Sequence, residues 1–231
     1  MKVLVATQKP FAAVAVKGIK EIVEAAGYEF ALLEKYEQTS ELLAAVADAD
    51  ALIVRSDKVT AEVVEAAKNL KIVVRAGAGY DNLDLAACTA HGVVAMNTPG
   101  QNSNAVAELA VAMMIFMART QFTPATGSEI QGKTVGIQAF GNVGRLVGRK
   151  AAALGMKVKA IDPFLTPEQI VAGGAEPAES LEALYAGCDY VSIHIPATPQ
   201  TIGSIGYDLV ASMPKGATLI NTARKEVIDE A

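Results

Sequence analysis

The segment Val135-Gly136-Ile137-Gln138-Ala139-Phe140-Gly141-Asn142-Val143-Gly144, together with Asp162, decides the fold. A β-branched run leads into a glycine-containing turn and then into a helical pattern. An acid follows about 20 residues later, at the end of the next strand-like run. This order of strand, turn, helix, strand and acid is typical of a dinucleotide-binding unit. The segment therefore predicts a parallel sheet of the Rossmann type.

Each part of this fingerprint has a physical task. Gly141 lets the backbone approach a pyrophosphate at the start of a helix, and Gly144 lets that helix pack closely on the strand. The carboxylate of Asp162 accepts hydrogen bonds from ribose hydroxyls and repels a 2′-phosphate, which favours NAD over NADP. The predicted cofactor contacts in this segment are Phe140, Gly141, Asn142, Val143, Gly144 and Asp162.

Ala139 stands where the fingerprint has its first glycine. An alanine is tolerated at this position if its φ angle is negative, and it can otherwise shift the turn or weaken cofactor binding. A second interpretation of the segment is a parallel-sheet domain with a turn of small residues and a solvent-exposed aspartate. The spacing and the strand–turn–helix setting favour the dinucleotide site.

The rest of the chain alternates between short apolar runs and helical stretches, which indicates crossover connections and parallel sheets. We predict an α/β fold with two doubly wound parallel-sheet domains, at residues 1–98 and 99–231. The predicted strands are Lys2–Ala6, Phe30–Leu33, Ala51–Val54, Lys71–Val74, Val93–Met96, Val135–Ala139, Lys157–Ile161, Tyr190–Ile195 and Ala217–Asn221. The predicted helices include Phe11–Ala26, Ser40–Ala47, Thr60–Ala67 and Val143–Leu154.

A long helix is predicted from Ser103 to Arg119, with Glu108 as the one charge on its apolar surface. A helix that is apolar on all sides is buried, typically between domains or against a partner subunit. We therefore expect this helix in a subunit contact.

Composition restricts the function. The net charge is −5, which argues against a nucleic-acid binder that works through bulk positive charge but not against an anionic small molecule. Two cysteines are too few for a disulfide framework or a zinc site, so we expect reduced thiols and no metal. The start of the chain does not resemble a signal peptide, and its longest apolar run is short for a membrane span. We expect a cytoplasmic protein that does not bind a membrane.

An ordered set of motifs resembles the D-isomer-specific 2-hydroxyacid dehydrogenases, most closely those that act on D-3-phosphoglycerate. The resemblance covers essentially the whole chain, and it rests on residues 52–56, 74–82, 92–99, 102–103, 106–108, 194–198 and 219–224. It implies a flavodoxin-like substrate domain followed by an NAD-binding Rossmann domain. It also implies NAD-dependent oxidation of D-3-phosphoglycerate to 3-phosphohydroxypyruvate, the first step of serine biosynthesis.

The resemblance also implies roles for single residues. Arg224 would hold the substrate carboxylate and polarise its C2 oxygen, and Arg suits forked recognition of a carboxylate. Arg55, Ser56, Arg75 and Gly77 would bind the carboxylate or phosphate, and Asn102 would supply an amide near the substrate. Further cofactor contacts would come from Ala78, His194, Ile195, Pro196, Thr222, Ala223 and Arg224. The alternatives are independent salt bridges for the three arginines, a surface arginine that caps a carbonyl for Arg224, and helix capping for Asn102.

The family's acid–base pair, a glutamate and a histidine, lies further along than Ala231, and neither His91 nor His194 matches that histidine. We therefore expect a truncated chain, itself inactive, in which the first domain is incomplete and the NAD-binding domain lacks its C-terminal part. Relatives assemble as dimers or larger oligomers, which agrees with the apolar helix. Other functions consistent with the sequence are a dehydrogenase for glyoxylate, hydroxypyruvate or lactate, and a non-catalytic NAD-sensing scaffold.

Overall fold

Each half of the chain forms its own parallel five-stranded sheet in the computed structural model, which describes residues 1–230. The chain divides into two compact units, Met1–Gln101 and a second unit that begins at Asn102. All of the strand pairs are parallel, as the alternation of strands and helices predicts. The predicted fold class is therefore confirmed, while the function of each unit stays a prediction.

The sheet of the first unit has the strand order β2-β1-β3-β4-β5, the order of flavodoxin-like folds. Its elements are β1 (Lys2–Thr7), α1 (Ala13–Ala25), β2 (Glu29–Glu34), α2 (Thr39–Val46), β3 (Ala51–Val54), α3 (Ala61–Ala66), β4 (Ile72–Arg75), α4 (Leu85–Ala90) and β5 (Val94–Asn97).

The sheet of the second unit has the order β10-β9-β6-β7-β8, which is the Rossmann order 3-2-1-4-5 read from its other edge. Its elements are α5 (Ser103–Ala118), β6 (Thr134–Gln138), α6 (Asn142–Ala153), β7 (Lys157–Ile161), α7 (Pro167–Ala172), β8 (Glu176–Pro177), α8 (Leu181–Ala186), β9 (Tyr190–Ile193), α9 (Tyr207–Ala211) and β10 (Thr218–Asn221). Short 3₁₀ turns span Thr120–Phe122 and Lys225–Val227.

Most predicted elements occur within one or two residues of their expected bounds. The predicted strand Tyr190–Ile195 is too long, since β9 ends at Ile193. Helices α4, α8 and α9, which have five or six residues each, were not predicted.

Apolar side chains from strands and helices form the cores. In the first unit, Leu52 and Val73 of the sheet pack with Leu42 of α2 and Val63 of α3. In the second unit, α5 and α6 cover one face of the sheet, and α8 packs on the other face through Leu184 and Tyr185. Each fully buried aliphatic side chain contributes roughly 1.5–3 kcal/mol. These cores hold the strand ends at fixed positions.

Helix α5 has one buried side and one exposed side. Its buried side chains include Ala107, Ala110 and Met114, whereas Leu109 and Met117 are more than one third exposed. The expectation that this helix is buried on all sides is therefore wrong for the chain alone, because α6 and β10 cover only one of its sides. Contact with a partner subunit stays a prediction.

Three further observations concern residues 1–230. No helix in this range is both long and apolar enough to cross a membrane. No group of three or more His, Cys, Asp or Glu side chains in it could hold a metal ion. The thiols of Cys88 and Cys188 are free and buried, and burial raises the pKa of Cys188 to about 11. A thiol with such a pKa is inert at neutral pH.

Candidate functional site

The carboxyl ends of the strands in the second unit bring several predicted site residues to one sheet edge. The strand order reverses between β6 and β9, and ligands of open parallel sheets bind in the crevice at such a reversal. The glycine turn follows β6, Asp162 follows β7, His194 follows β9 and Thr222 follows β10.

Gly141 and Gly144 differ in the space around them. A Cβ atom on Gly144 would lie 2.2 Å from the carbonyl oxygen of Ala139, so the close packing of α6 on the turn excludes any side chain there. A Cβ atom on Gly141 would meet nothing within 4 Å. Gly141 occupies the N-cap position of α6, where backbone amides without intrahelical acceptors begin. The open space at Gly141 therefore adjoins a set of amide donors suited to an anion.

Ala139 has a φ angle of +73°, so the condition of a negative φ, under which alanine is tolerated here, is not met. This left-handed conformation costs an alanine about 1 kcal/mol relative to glycine. Two hydrogen bonds donated by backbone amides hold the turn in place. The Ala139 amide donates to the Ile161 carbonyl at 2.9 Å, and the Phe140 amide donates to Oδ2 of Asp162 at 2.9 Å.

Asp162 joins the glycine turn to the loop that follows β7. Besides Oδ2, its Oδ1 accepts a hydrogen bond from the Phe164 amide at 2.9 Å. Each carboxylate oxygen has a second lone pair, so these bonds leave acceptor capacity for a ribose. The sequence indicated the ribose role of Asp162 but not this bracing of the turn.

The remaining turn residues differ in exposure. The ring of Phe140 is fully buried, and the Arg145 guanidinium carbon lies 5.3 Å from its centroid. Only the backbone of Phe140 is therefore available to contact a cofactor. Asn142 is exposed and Val143 is half-buried.

His194 connects three neighbouring strand ends. Its amide donates to the Gln138 carbonyl of β6 at 2.9 Å, while Nε2 lies 2.9 Å from the Ser192 hydroxyl of β9. Its Nδ1 lies 3.4 Å from the Thr222 hydroxyl, just after β10. Burial lowers the pKa of His194 to about 4, so the ring is neutral at pH 7. Sequence reasoning did not find Ser192 or Gln138, which look like ordinary strand residues.

Asn221 shapes the turn that carries Arg224. Its Oδ1 accepts from the Ala223 amide at 2.9 Å, and its Nδ2 donates to the Arg224 carbonyl at 2.8 Å. Arg224 is half-buried, and its Nη1 donates to the Ala223 carbonyl at 3.1 Å. The motif around Arg224 pointed to this turn, but not to the role of the asparagine side chain in it.

Ile195 and Pro196, the two predicted cofactor contacts after His194, lie beyond the end of β9. Ile195 is half-buried and Pro196 is exposed. The Pro196 carbonyl accepts a hydrogen bond from the Thr201 hydroxyl, which fixes the segment as a turn.

The first unit gathers its predicted site residues at the carboxyl ends of β3 and β4. The Nε of Arg75 donates to the Arg55 carbonyl at 2.9 Å. The Arg75 guanidinium crosses directly over Gly77, where a Cβ atom would clash with Nη1. The Ala78 carbonyl accepts from Nδ2 of Asn97 at 2.7 Å. Arg55, Ser56, Arg75, Gly77 and Ala78 are therefore neighbours along one edge, with Arg55 and Ser56 exposed.

Asn102 occupies the N-cap position of α5, but its side chain makes no capping hydrogen bond. The capping interpretation of Asn102 is therefore wrong. Its side chain is exposed at the first position of the second unit.

Asp57 is a buried acid that the sequence analysis did not single out. Its Oδ1 accepts from the Gln8 amide at 2.7 Å and from the Tyr36 hydroxyl at 2.8 Å. Burial and the bond to Asp57 raise the pKa of Tyr36 far above its ordinary value. Because Gln8 follows β1 and Asp57 follows β3, this side chain closes the place where the order of the first sheet reverses.

Comparison with known proteins identifies the family. Residues 5–194 match the family described as "D-isomer specific 2-hydroxyacid dehydrogenase, catalytic domain". The chain belongs to the D-isomer-specific 2-hydroxyacid dehydrogenases. The predicted resemblance is therefore confirmed at the level of the family.

Within this family, several phosphoglycerate dehydrogenases are similar to the chain. It is 42% identical to a D-3-phosphoglycerate dehydrogenase of Mycobacterium tuberculosis over 205 residues, covering 83% of the chain and 39% of that protein. It is 40% identical to the Rattus norvegicus enzyme of the same name, over 82% of the chain and 38% of that enzyme. The chain thus spans about two fifths of the length of these relatives.

A solved structure supports the same relationship. The chain superposes on NAD+-bound 3-phosphoglycerate dehydrogenase of Entamoeba histolytica with a TM-score of 0.93 and 48% identity. This match covers 100% of the chain and 74% of the Entamoeba chain.

Proposed function

We propose that the chain forms the substrate- and cofactor-binding parts of an NAD-dependent D-2-hydroxyacid dehydrogenase, with D-3-phosphoglycerate as the substrate. The product would be 3-phosphohydroxypyruvate, at the first step of serine biosynthesis. The observation that carries the proposal is the open, amide-lined space at Gly141 with Asp162 beside it. The names of the relatives support the substrate.

The residues at this edge fit NAD. The amides of Asn142 and Val143 would bind the pyrophosphate, and Asp162 would accept from the ribose hydroxyls. A 2′-phosphate would meet the negative charge of Asp162, which favours NAD over NADP. The turns that carry His194 and Thr222 would border the nicotinamide. NAD, when bound, supplies the hydride acceptor.

The predicted arginines of each unit, taken by itself, are suited to the anionic groups of the substrate. In the second unit, Arg224 would bind the carboxylate and polarise the C2 oxygen, with Asn221 fixing its turn. In the first unit, Arg75 and Arg55, with Ser56 and the Gly77 backbone, would bind the phosphate. Asn102 would add an amide donor. Because Arg75 is fixed by its bond to the Arg55 carbonyl, it needs little ordering on binding.

His194 is not the base in this proposal. Its two ring nitrogens contact the hydroxyls of Ser192 and Thr222, and its pKa of about 4 is too low for efficient proton abstraction near pH 7. Its role is to hold strand ends together.

We also propose that the exposed side of α5 forms a contact between two copies of the chain in the cytoplasm. Leu109, Phe116 and Met117 give this side an apolar surface of the kind that subunit interfaces bury. The contact is supported if wild type sediments as a dimer and the double variant Leu109→Glu, Met117→Glu sediments as a monomer. A wild-type monomer at micromolar concentration would contradict it.

The function is tested in two steps. Calorimetric titration with NADH and NADPH should show binding of NADH and at least about tenfold weaker binding of NADPH. A protein that carries this chain together with the family's acid–base pair should then form NADH when phosphoglycerate and NAD are added. Arg75→Ala should raise the KM for phosphoglycerate far more than it raises the KM for NAD.

Each other outcome has its own meaning. Activity with lactate, glyoxylate or hydroxypyruvate, but not with phosphoglycerate, would replace the substrate. Binding of NADH without any turnover would favour a sensing or scaffolding role. Absence of NADH binding would refute the proposal.

A further inference from the structure

Both ring nitrogens of His194 contact hydroxyl groups. Nε2 lies 2.9 Å from Oγ of Ser192, and Nδ1 lies 3.4 Å from Oγ1 of Thr222. Each hydroxyl can donate or accept, so two arrangements of the protons satisfy these distances. Either Nδ1 or Nε2 carries the proton of the neutral ring, and the two arrangements give Thr222 opposite roles.

The burial of Ser192 selects one arrangement. Ser192 is fully buried in β9, in register with Ile137 of β6 and Ile220 of β10. Within residues 1–230, the one hydrogen-bond partner of its hydroxyl is Nε2 of His194. A buried hydroxyl that donates to nothing loses the hydrogen bond it makes in water. The Ser192 hydroxyl therefore donates to Nε2, and Nδ1 carries the proton.

The arrangement has a consequence for Thr222. A proton on Nδ1 makes the Thr222 oxygen an acceptor from the ring, which leaves the hydrogen of that hydroxyl to point elsewhere. Thr222 directly follows β10 at the carboxyl edge, the same edge that carries Gly141 and Asp162. The opposite tautomer would turn the hydrogen of this hydroxyl back toward the ring.

We propose that Ser192 is a positioning residue that fixes His194 in the Nδ1–H tautomer and thereby presents the Thr222 hydroxyl as a hydrogen-bond donor to a bound dinucleotide. The tautomer is a property of the free chain. The donor role rests on the proposed function, since it requires that a dinucleotide binds at this edge. Phosphate, ribose and carboxamide oxygens of a dinucleotide are all acceptors for such a donor.

The tautomer is tested by ¹⁵N NMR of the imidazole nitrogens at pH 7. The chain has two histidines, so His91→Gln leaves the signals of His194 alone in the spectrum. We expect a protonated-type shift for Nδ1 and an acceptor-type shift for Nε2. Ser192→Ala should shift Nε2 toward the protonated type. Ser204→Ala is the matched control, because the Ser204 hydroxyl is exposed and donates to the Thr201 carbonyl.

The NMR experiment tests the tautomer of His194 in the absence of any ligand, so its outcome does not depend on NADH binding. A wild-type ring with its proton on Nε2 would overturn the proposal, and so would shifts that Ser192→Ala leaves unchanged. Circular dichroism and Tm measurements of Ser192→Ala establish that the variant is folded before its shifts are compared.

The donor role is tested by NADH titration. Thr222→Val keeps the shape of the side chain but removes its hydroxyl, and it should weaken NADH binding by about 3- to 10-fold, the loss of one neutral hydrogen bond. Thr222→Ser should bind within about twofold of wild type, because it retains the hydroxyl that makes this bond. Unchanged binding by Thr222→Val would overturn the donor role while the proposed function stands. If wild type does not bind NADH, the proposed function and the donor role both fail, and the NMR result still decides the tautomer.

Discussion

The two sheets of this chain have the same kind of crevice, but they fill it differently. Each strand order reverses once, between β1 and β3 in the first unit and between β6 and β9 in the second. In the first unit, Asp57 closes this place by binding the Gln8 amide and the Tyr36 hydroxyl. In the second unit, the chain leaves open space at Gly141 beside the first amides of α6. Topology thus supplies the crevice, and the residue types at its rim decide whether a ligand can enter.

The largest expected effect comes from the glycine pair in the second crevice. Gly144→Ala would drive a Cβ atom into the Ala139 carbonyl, so α6 must move away from the turn. We expect a loss of about 3 kcal/mol in the free energy of unfolding and a loss of NADH affinity of about 100-fold. Urea unfolding and calorimetric titration measure the two losses.

Gly141→Ala is the variant to compare with Gly144→Ala. Its Cβ atom meets no protein atom, and its φ of −80° suits alanine. Stability should therefore be retained while NADH binding falls, because the methyl group would occupy the space that we propose for the pyrophosphate. An equal loss of unfolding free energy in Gly141→Ala and Gly144→Ala would contradict separate roles for the two glycines, with Gly144 in packing and Gly141 in ligand binding.

Removing the Asp57 side chain from the crevice of the first sheet should lower the free energy of unfolding and leave dinucleotide binding unchanged. Asp57→Ala removes an acceptor that holds two donors, and we expect a loss of about 3 kcal/mol in unfolding free energy. Asp57→Asn retains one acceptor oxygen and should lose less. A loss of NADH affinity in the folded Asp57→Asn protein would contradict the separation of the two crevices.

We expect the free energy of unfolding to depend on pH through His194. The folded pKa of His194, about 4, lies below the unfolded value of about 6.5, so the unfolded state binds more protons between these two values. Stability from this residue is present above pH 6.5 and is lost as the pH falls toward 4.

Unfolding measurements at pH 7 and pH 4.5 should therefore differ by about 2 kcal/mol more in wild type than in His194→Gln. The variant serves as the control for carboxylates, which titrate in both proteins. The same pH dependence in both proteins would contradict a buried, neutral His194.

The smallest effect concerns the strained alanine. Ala139→Gly removes the Cβ atom from a residue with φ of +73° and should raise the unfolding free energy by about 0.5 to 1 kcal/mol. Ala152→Gly, on the exposed side of α6, should lower it by a similar amount. A destabilised Ala139→Gly protein would indicate that the methyl group of Ala139 makes a favourable contact.

Periodic features of the fold could be predicted from the sequence, and features that depend on contacts could not. The strands and the longer helices follow from apolar runs and helical spacing, and the motif around Gly141 and Gly144 predicted the turn after β6. The sign of φ at Ala139 could not be predicted from the sequence, because the bond of Phe140 to Asp162 that holds the turn joins residues distant in sequence.

The same limit applies to the polar residues that support the candidate site. Asp57, Ser192 and Asn221 each act through partners on other segments or through the geometry of a single turn. No sequence pattern indicates the hydrogen-bond partner of a single serine inside a strand, or that of an acid that follows a strand. The sequence therefore indicated the residues proposed to touch ligands, and the structure added those that hold them in position.

We expect the dinucleotide to bind in the crevice of the second sheet and not in that of the first. An NADH titration of the ¹⁵N-labelled chain, followed through its backbone amide signals, tests this claim directly. We predict saturable shifts at Gly141, Asn142 and Val143, with the amides of Gln8 and Asp57 unchanged. Saturable shifts at Gln8 and Asp57 instead, or none at the turn after β6, would contradict the account.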